Sequence, residues 1–370
     1  MKLQKQWMRR FVAAGLFVFM SAGAALAAPI TIEEQGSFTI GGSYVQHDGT
    51  FSQENFTSPD GQRAYGDFAY VEYQKPEHAK KLPLIFQHGG AQSKRTWESS
   101  PDGREGFNTL FLRAGYSVYL VDQPRSGEAN LSTEAVTPDT PWASNPMYGD
   151  KTLYILSRVG HYDDKGNPVP NAQFPKGDAN YQAFQQSWTI GSGPLDNDLN
   201  ADVLAQLVDK QPDGAILVTH SMGGTIGWRT ALRSDKVRAI IAYEPGGTPF
   251  IFPDTEMPKI TEARFKALSA SAMGVPMEDF LKLTRIPIVL YYGDYIKVGS
   301  DNVGEDKWGT EYAMAQQFVD TINRHGGDAT LVHLPDIGIK GNSHFLIQEK
   351  NNKQIMELAL TWLHEKGLDK

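Results

Sequence analysis

The stretch that decides the fold is "LVTHSMGG", residues 217–224, in which an apolar run leads through a serine into two glycines. A short apolar run after Gly214 is typical of a buried strand, and the residues after Ser221 have the periodicity of a helix. Ser221 therefore stands at the junction between a strand and a helix. A serine in that place is either a nucleophile raised on a sharp turn, as in Gly-x-Ser-x-Gly sequences, or an ordinary helix cap.

On both sides of this junction, short apolar segments alternate with segments of helical periodicity. The predicted buried strands are PLIFQH (83–88), YSVYLVD (116–122), GAILVTH (214–220), VRAIIAYE (237–244), IPIVLYYGD (286–294) and ATLVHLP (329–335). The predicted helices are GFNTLFLRAG (106–115), ADVLAQLVDK (201–210), GGTIGWRTALRS (223–234), EYAMAQQFVDTINRHG (311–326) and NKQIMELALTWLHEKG (352–367). This alternation predicts an α/β fold with a mostly parallel sheet of about eight strands. Two amphipathic segments, residues 37–46 and 67–74, predict antiparallel strands at its start.

Two segments interrupt the alternation. Residues 128–198 are rich in Pro, Asn, Asp and aromatic residues and are too long for a plain connection, so they predict a cap inserted over the carboxyl edge of the sheet. Residues 247–284 predict a second insertion with its own helices. Aromatic residues of the cap are candidates for lining a pocket, although such residues more often serve packing: Trp142, Tyr148, Tyr154, Phe184 and Trp188.

The N-terminus has the three parts of an export signal. Basic residues precede the apolar run of residues 11–20, and Ala25 and Ala27 form a small-x-small cleavage site. We therefore predict a signal peptide over residues 1–27, a mature domain over residues 28–370, and a secreted or periplasmic location with no membrane segment after cleavage. The sequence leaves the oligomeric state open, with a dimer as one option.

Charge and composition exclude several classes of function. The chain has a net charge of −8, and cleavage would remove four basic residues and no acidic one. An acidic chain is unsuited to binding nucleic acid, which needs clustered Lys and Arg. The absence of cysteine excludes a cysteine nucleophile and cysteine-based metal sites. No metal and no organic cofactor is predicted.

Ligands of an open parallel sheet bind beyond the carboxyl ends of its strands, so reactive residues that follow strands are the candidates. A serine hydroxyl needs a histidine base that a carboxylate orients. Among the nine histidines, His344 lies in a glycine-containing loop between the last strand and the last helix. Two carboxylates follow strands and precede His344, namely Glu244 and Asp294, and the residue pattern alone does not choose between them.

A negatively charged intermediate would need two backbone N–H donors. One donor would belong to the residue after the serine, Met222. The other would come from the His-Gly-Gly sequence after the first buried strand, where glycine lets the backbone approach a ligand. We assign it to Gly90, with Gly89 or Ala91 as the alternative.

Together these motifs resemble those of the α/β-hydrolases, and more narrowly the secreted bacterial serine esterases of the esterase seven-thirteen type. The resemblance extends from about residue 83 to the C-terminus and rests on HGG (88–90), THSMGG (219–224), AYEPG (242–246), YYGDYI (291–296) and GNSH (341–344). It implies an α/β-hydrolase fold and Glu244 as the acid. It also implies the base at His344 and the oxyanion donors at Gly90 and Met222.

The sequence thus predicts a secreted serine hydrolase that cleaves a small-molecule carboxylic ester through a Ser-His-Glu triad and an acyl-enzyme. The same machinery could act on an amide or a lactone instead. From another class, a binding protein on a catalytically dead hydrolase scaffold is the rival hypothesis, and it predicts that one of the catalytic residues is out of place.

Overall fold

A computed structural model describes residues 28–134, 149–189 and 191–370. The predicted signal peptide, residues 135–148 of the predicted cap with Trp142 and Tyr148, and residue 190 lie outside the described residues. From Ile32 onward, the described residues belong to one compact unit.

The secondary structure follows the alternation in the sequence. In chain order, the strands are β1 (Ile32–Gln46), β2 (Arg63–Pro76), β3 (Leu84–Gln87), β4 (Val118–Asp122), β5 (Gly160–Tyr162), β6 (Pro168–Pro170), β7 (Ala215–His220), β8 (Val237–Tyr243), β9 (Phe250–Pro253), β10 (Ala272–Val275), β11 (Pro287–Tyr292) and β12 (Asp328–His333). The α-helices of the described ranges are α1 (Phe107–Arg113), α2 (Asp150–Leu156), α3 (Asp178–Gln186), α4 (Asn197–Asp209), α5 (Gly223–Arg233), α6 (Met277–Leu283), α7 (Val303–Arg324) and α8 (Asn352–Glu365).

The main sheet of the described residues has eight strands in the order β1-β2-β4-β3-β7-β8-β11-β12. The β1–β2 and β2–β4 pairs are antiparallel, and the six strands from β4 to β12 run parallel to one another. This arrangement confirms the predicted α/β-hydrolase fold with antiparallel strands at its start. The carboxyl ends of β3, β7, β8 and β11 consequently meet at one edge.

The central strands are apolar because helices cover both faces of the sheet. Every residue of β3 and β7 is buried, whereas the residues of β1 other than Ile40 are exposed or partly buried, as is common in an edge strand. Full burial of Leu217 or Val218 contributes about 1.5–3 kcal/mol each relative to an exposed side chain. This core gives the turns at the carboxyl edge a rigid base.

Two segments lie between the elements of the main sheet. Between β4 and α4, the described residues form α2, a short antiparallel β5–β6 pair and α3. Between β8 and β11, the second insertion contains the parallel β9–β10 pair as well as α6. The expectation of several helices there was incomplete, because Phe250, Ile251 and Phe252 are all buried and pack as a strand.

Candidate functional site

Ser221 occupies a sharp turn between β7 and α5. Its φ angle of 56° lies in the left-handed region, which a residue with a side chain rarely adopts. The turn is held by the Ser221 N–H, which donates to the Tyr243 carbonyl at 3.0 Å, and by the Gly224 N–H, which donates to the Ser221 carbonyl at 3.0 Å. Strain of this kind persists only where the surroundings fix it, and it is concentrated at functional sites.

The structure also explains how the turn accommodates Thr219 where glycine is more usual. The glycine that makes room lies on the helix instead. A Cβ atom at Gly227 of α5 would lie 3.0 Å from the Thr219 Cγ2 atom. A Cβ at Gly223 would lie 2.7 Å from the His88 carbonyl oxygen. Strand and helix therefore approach each other as closely as such a turn requires, with glycines in α5 supplying the space.

The structure brings three of the predicted side chains into one line. The His344 Nε2 atom lies 2.9 Å from the Ser221 Oγ atom, and the His344 Nδ1 atom lies 3.4 Å from the Glu244 Oε2 atom. Glu244 is fully buried and His344 is 5% exposed. A base within hydrogen-bond reach of a hydroxyl, with a carboxylate behind it, can take the proton of that hydroxyl.

The two candidate carboxylates have different neighbours. Glu244 faces His344, and its Oε1 atom accepts a hydrogen bond from the Gly293 N–H. Asp294 instead binds backbone: its Oδ1 atom accepts from the Tyr295 N–H at 2.7 Å, and its Oδ2 atom accepts from the Gly341 N–H at 3.0 Å. Asp294 therefore braces the loop that leads to the histidine, while Glu244 is the carboxylate beside the imidazole.

Arg158 is a part of the site that the sequence reasoning missed. It lies between α2 and β5, and its side chain is 1% exposed. Its guanidinium donates to the Glu244 Oε2 atom and to the Asp294 carbonyl oxygen. No local signal marked this arginine, because it follows a helix in the middle of an irregular segment and its partners are distant in sequence.

The surroundings of His344 favour its neutral form. Burial lowers the pKa of His344 well below 6.5, and the charges of Arg158 and Lys307 lower it further. The Trp308 ring stacks on the imidazole with 3.9 Å between the ring centroids. The neighbouring His220 is fully buried, and burial followed by the proximity of His344 lowers its pKa to about 3. A neutral imidazole at position 344 can accept a proton, as a general base must.

The backbone N–H groups near Ser221 differ in whether they already donate a hydrogen bond. The Gly89 N–H donates to the Gln92 Oε1 atom at 2.8 Å, so it is already used. The N–H groups of Gly90 and Met222 have no hydrogen-bond acceptor among the described residues, and both residues line the same cavity. This arrangement favours Gly90 over Gly89 as the second donor, whereas Ala91, the other alternative, also lines the cavity and its N–H likewise has no acceptor among the described residues.

The cavity beside Ser221 has a volume of about 340 Å³ and is lined by Ser221, His344 and residues of the segment between β4 and α4. This volume lies near the lower end of the range for small-molecule sites. Of the predicted aromatic residues, Trp188 lines the cavity, whereas Tyr154 and Phe184 belong to a buried cluster beside it.

Two other findings apply to the part of the chain that the structure describes. No three histidine, cysteine, aspartate or glutamate side chains there are grouped so that they could hold a metal ion. No helix there combines the length and the apolar character needed to cross a membrane.

With this geometry established, comparisons with known proteins identify the family. A model of the alpha/beta hydrolase family matches residues 84–346. The chain is 27% identical over 368 residues to "Probable secreted lipase phiG" of Fungal sp. (strain ATCC 74256), with 89% of each protein covered. Its structure is similar to that of a novel bacterial esterase, with a TM-score of 0.69, 29% identity, and coverage of 92% of this chain and 98% of the other. The chain therefore belongs to the α/β-hydrolase family, within which its relatives are of the esterase and lipase type.

Proposed function

We propose that this protein is an exported serine esterase that hydrolyses small carboxylic esters. The observation that carries the proposal is the 2.9 Å distance between the Ser221 Oγ atom and the His344 Nε2 atom. Ser221 stands on a sharp turn and has a backbone conformation in the left-handed region. The relatives named as an esterase and a secreted lipase favour an ester over an amide or a lactone. The export signal in residues 1–27 and the secreted relative support release from the cytoplasm.

In the proposed reaction, the Ser221 oxygen attacks the ester carbonyl carbon while His344 takes the hydroxyl proton. Glu244 holds the imidazole with Nδ1 protonated and stabilises the imidazolium that forms. The N–H groups of Gly90 and Met222 donate to the oxyanion. His344 then protonates the leaving alcohol, and an acyl ester on Ser221 remains. Water, deprotonated by His344, releases the acid and restores the serine.

The cavity limits the size, polarity and charge of the substrate. With a volume of about 340 Å³ and apolar walls that include Leu153, Leu156 and Trp188, it suits a compact, largely apolar acyl or alcohol group. Among the described residues that line it, the lysine and arginine side chains are paired: Arg125 with Asp67, and Lys307 with Glu311. We therefore expect a neutral ester to be preferred over an anionic one.

Labelling with a fluorophosphonate tests the reaction class. We expect one covalent adduct, located on Ser221 by peptide mass spectrometry, and none on the folded Ser221→Ala variant. Turnover of nitrophenyl esters of increasing acyl length should fall once the acyl group exceeds the cavity. A folded wild-type protein that takes no label and hydrolyses no ester would instead support a binding protein on a hydrolase scaffold. Sequencing the N-terminus of the exported protein, which should begin at Ala28, tests the signal peptide.

A further inference from the structure

Arg158 links the segment between β4 and α4 to the carboxyl edge of the sheet. One Nη atom donates to the Glu244 Oε2 atom, and the other donates to the backbone carbonyl of Asp294. The side chains of Arg158 and Glu244 are 1% and 0% exposed, so water does not weaken the contact between them. The guanidinium therefore lies across the ends of β8 and β11, behind the carboxylate that faces His344.

The backbone around Arg158 is fixed on several sides. The Arg158 N–H donates to the Ile155 carbonyl at 2.9 Å, and the Asn171 side-chain amide donates to the Arg158 carbonyl at 2.5 Å. The preceding residue, Ser157, accepts a hydrogen bond from the His344 N–H at 3.0 Å. A single turn of chain thus holds both the backbone of the histidine and the carboxylate beside its ring.

Resting on the proposed function, we propose that Arg158 is a positioning residue: it holds the Glu244 carboxylate aimed at His344, and it couples the segment between β4 and α4 to catalysis. The Glu244 Oε2 atom is shared by the Arg158 guanidinium and the His344 Nδ1 atom. Without the guanidinium, this fully buried carboxylate would lose the side-chain partner that fixes its direction toward the imidazole.

The effect of Arg158 on pH dependence follows from the charges that face His344. The cations Arg158 and Lys307 lower the pKa of His344, with burial as the largest cause. The Glu244 carboxylate lies beside the His344 Nδ1 atom, and Lys307 is itself paired with Glu311 at 2.9 Å. Among the described residues, two more titratable groups lie nearby: burial lowers the pKa of His220 to about 3, and it raises the pKa of Glu349 to about 7.

Loss of the Arg158 charge should raise the pH at which the enzyme becomes active. It removes a cation that opposes the imidazolium, so the pKa of His344 rises. Because catalysis needs the neutral imidazole, activity is then reached only at higher pH. The acidic limb of the profile of kcat/KM against pH should therefore move upward when the cation is removed.

The test compares Arg158→Met, which removes the cation, with Arg158→Lys, which keeps a cation but cannot make both guanidinium contacts. For Arg158→Met, we expect the acidic limb to rise by about one pH unit, because removing a nearby charge shifts a pKa by about 1–3 units. For Arg158→Lys, we expect the limb near its wild-type position and kcat lower by about tenfold, with KM little changed. Rates are divided by the concentration of sites that a fluorophosphonate titrates.

Arg125→Met is the matched control. Arg125 is also buried, pairs with Asp67 through two hydrogen bonds and lines the same cavity, but it makes no contact with Glu244 or His344. Its acidic limb should stay in place. An Arg158→Met limb that coincides with the wild-type limb, or an equal shift in Arg125→Met, overturns the proposal.

If Arg158→Met does not fold, the Arg158→Lys variant alone tests the proposal. A kcat per titrated site in Arg158→Lys that equals the wild-type value overturns the proposal as well. Failure of the proposed function is a separate result, since it appears as wild-type protein that neither takes the label nor hydrolyses esters.

Discussion

Replacing Glu244 with glutamine is the most direct test of which carboxylate orients the histidine. The hydrogen-bond partners of the Glu244 carboxylate among the described residues are all donors: the Gly293 N–H contacts Oε1, while Arg158 and the His344 Nδ1 atom share Oε2. Glutamine keeps one oxygen and gains an NH₂ group. The NH₂ group must therefore face another hydrogen-bond donor, whether it takes the Oε1 position or the Oε2 position. The neutral amide also carries no charge to stabilise the imidazolium.

The expected size of the effect follows from these contacts. Removal of a triad carboxylate through its amide lowers kcat by about ten-thousandfold in a well-studied serine protease, and we expect a similar loss here. Because Arg158 would be left as a buried cation, stability should also fall by about 3–5 kcal/mol. Asp294→Asn keeps one acceptor for the Tyr295 and Gly341 N–H groups, so it should cost about 1–3 kcal/mol and lower kcat less than tenfold.

The assay measures kcat for a nitrophenyl ester on both variants at a temperature where circular dichroism shows each to be folded. End-point labelling with a fluorophosphonate gives the concentration of intact serine sites. We expect Glu244→Gln to lose at least a thousandfold more activity than Asp294→Asn. If Asp294→Asn loses more, the reasoning is refuted and the acid is Asp294.

Three further predictions concern residues around the site. Ser221→Gly should abolish turnover, as Ser221→Ala does, but it should be about 1 kcal/mol more stable than Ser221→Ala in chemical denaturation, because only glycine tolerates a φ of 56° without strain; equal stability would argue against the strained turn. Gly89→Ala should lower kcat at least tenfold, since its Cβ would lie 2.6 Å from the Ser221 Cβ; unchanged turnover would contradict this packing. Burial raises the pKa of Glu349 from 4.5 to about 7, so the folded chain holds a proton that the unfolded chain has released, and the stability from Glu349 is lost as pH rises through this window. Melting temperatures from pH 4.5 to 7.5 should therefore fall more for the wild type than for Glu349→Gln, and parallel curves would contradict the raised pKa.

Sequence reasoning located the residues at the ends of strands because that information is local. A short apolar run between turns predicts a strand, and a residue just after it is placed at the carboxyl edge of the sheet. Ser221 and Glu244 could be found in this way, and His344 could be found as the histidine in the loop between the last strand and the last helix, although Ser221 and His344 are separated by more than a hundred residues of chain. The local rule could not choose between Glu244 and Asp294, because both residues obey it, and the family resemblance gave only an expectation in favour of Glu244.

The site residues on α7 show where local signals fail. The apolar periodicity predicted a helix from residue 311, but α7 begins at Val303, where the Asn302 side chain accepts hydrogen bonds from the Gly304 and Glu305 N–H groups. The additional turns carry Lys307 and Trp308 into the cavity. Their sequence is polar and glycine-containing, so periodicity gave no reason to extend the helix.

By itself, the sequence determined the α/β architecture, the edge of the sheet at which chemistry could occur, and a short set of candidate residues, because hydrophobic periodicity and turn residues act over a few positions. Only the tertiary structure decided which carboxylate faces the imidazole, which amides are free, and that Arg158 pairs with the buried acid. Those outcomes depend on which distant side chains meet after folding, and on the low dielectric of a buried site, neither of which leaves a mark in a local stretch of sequence.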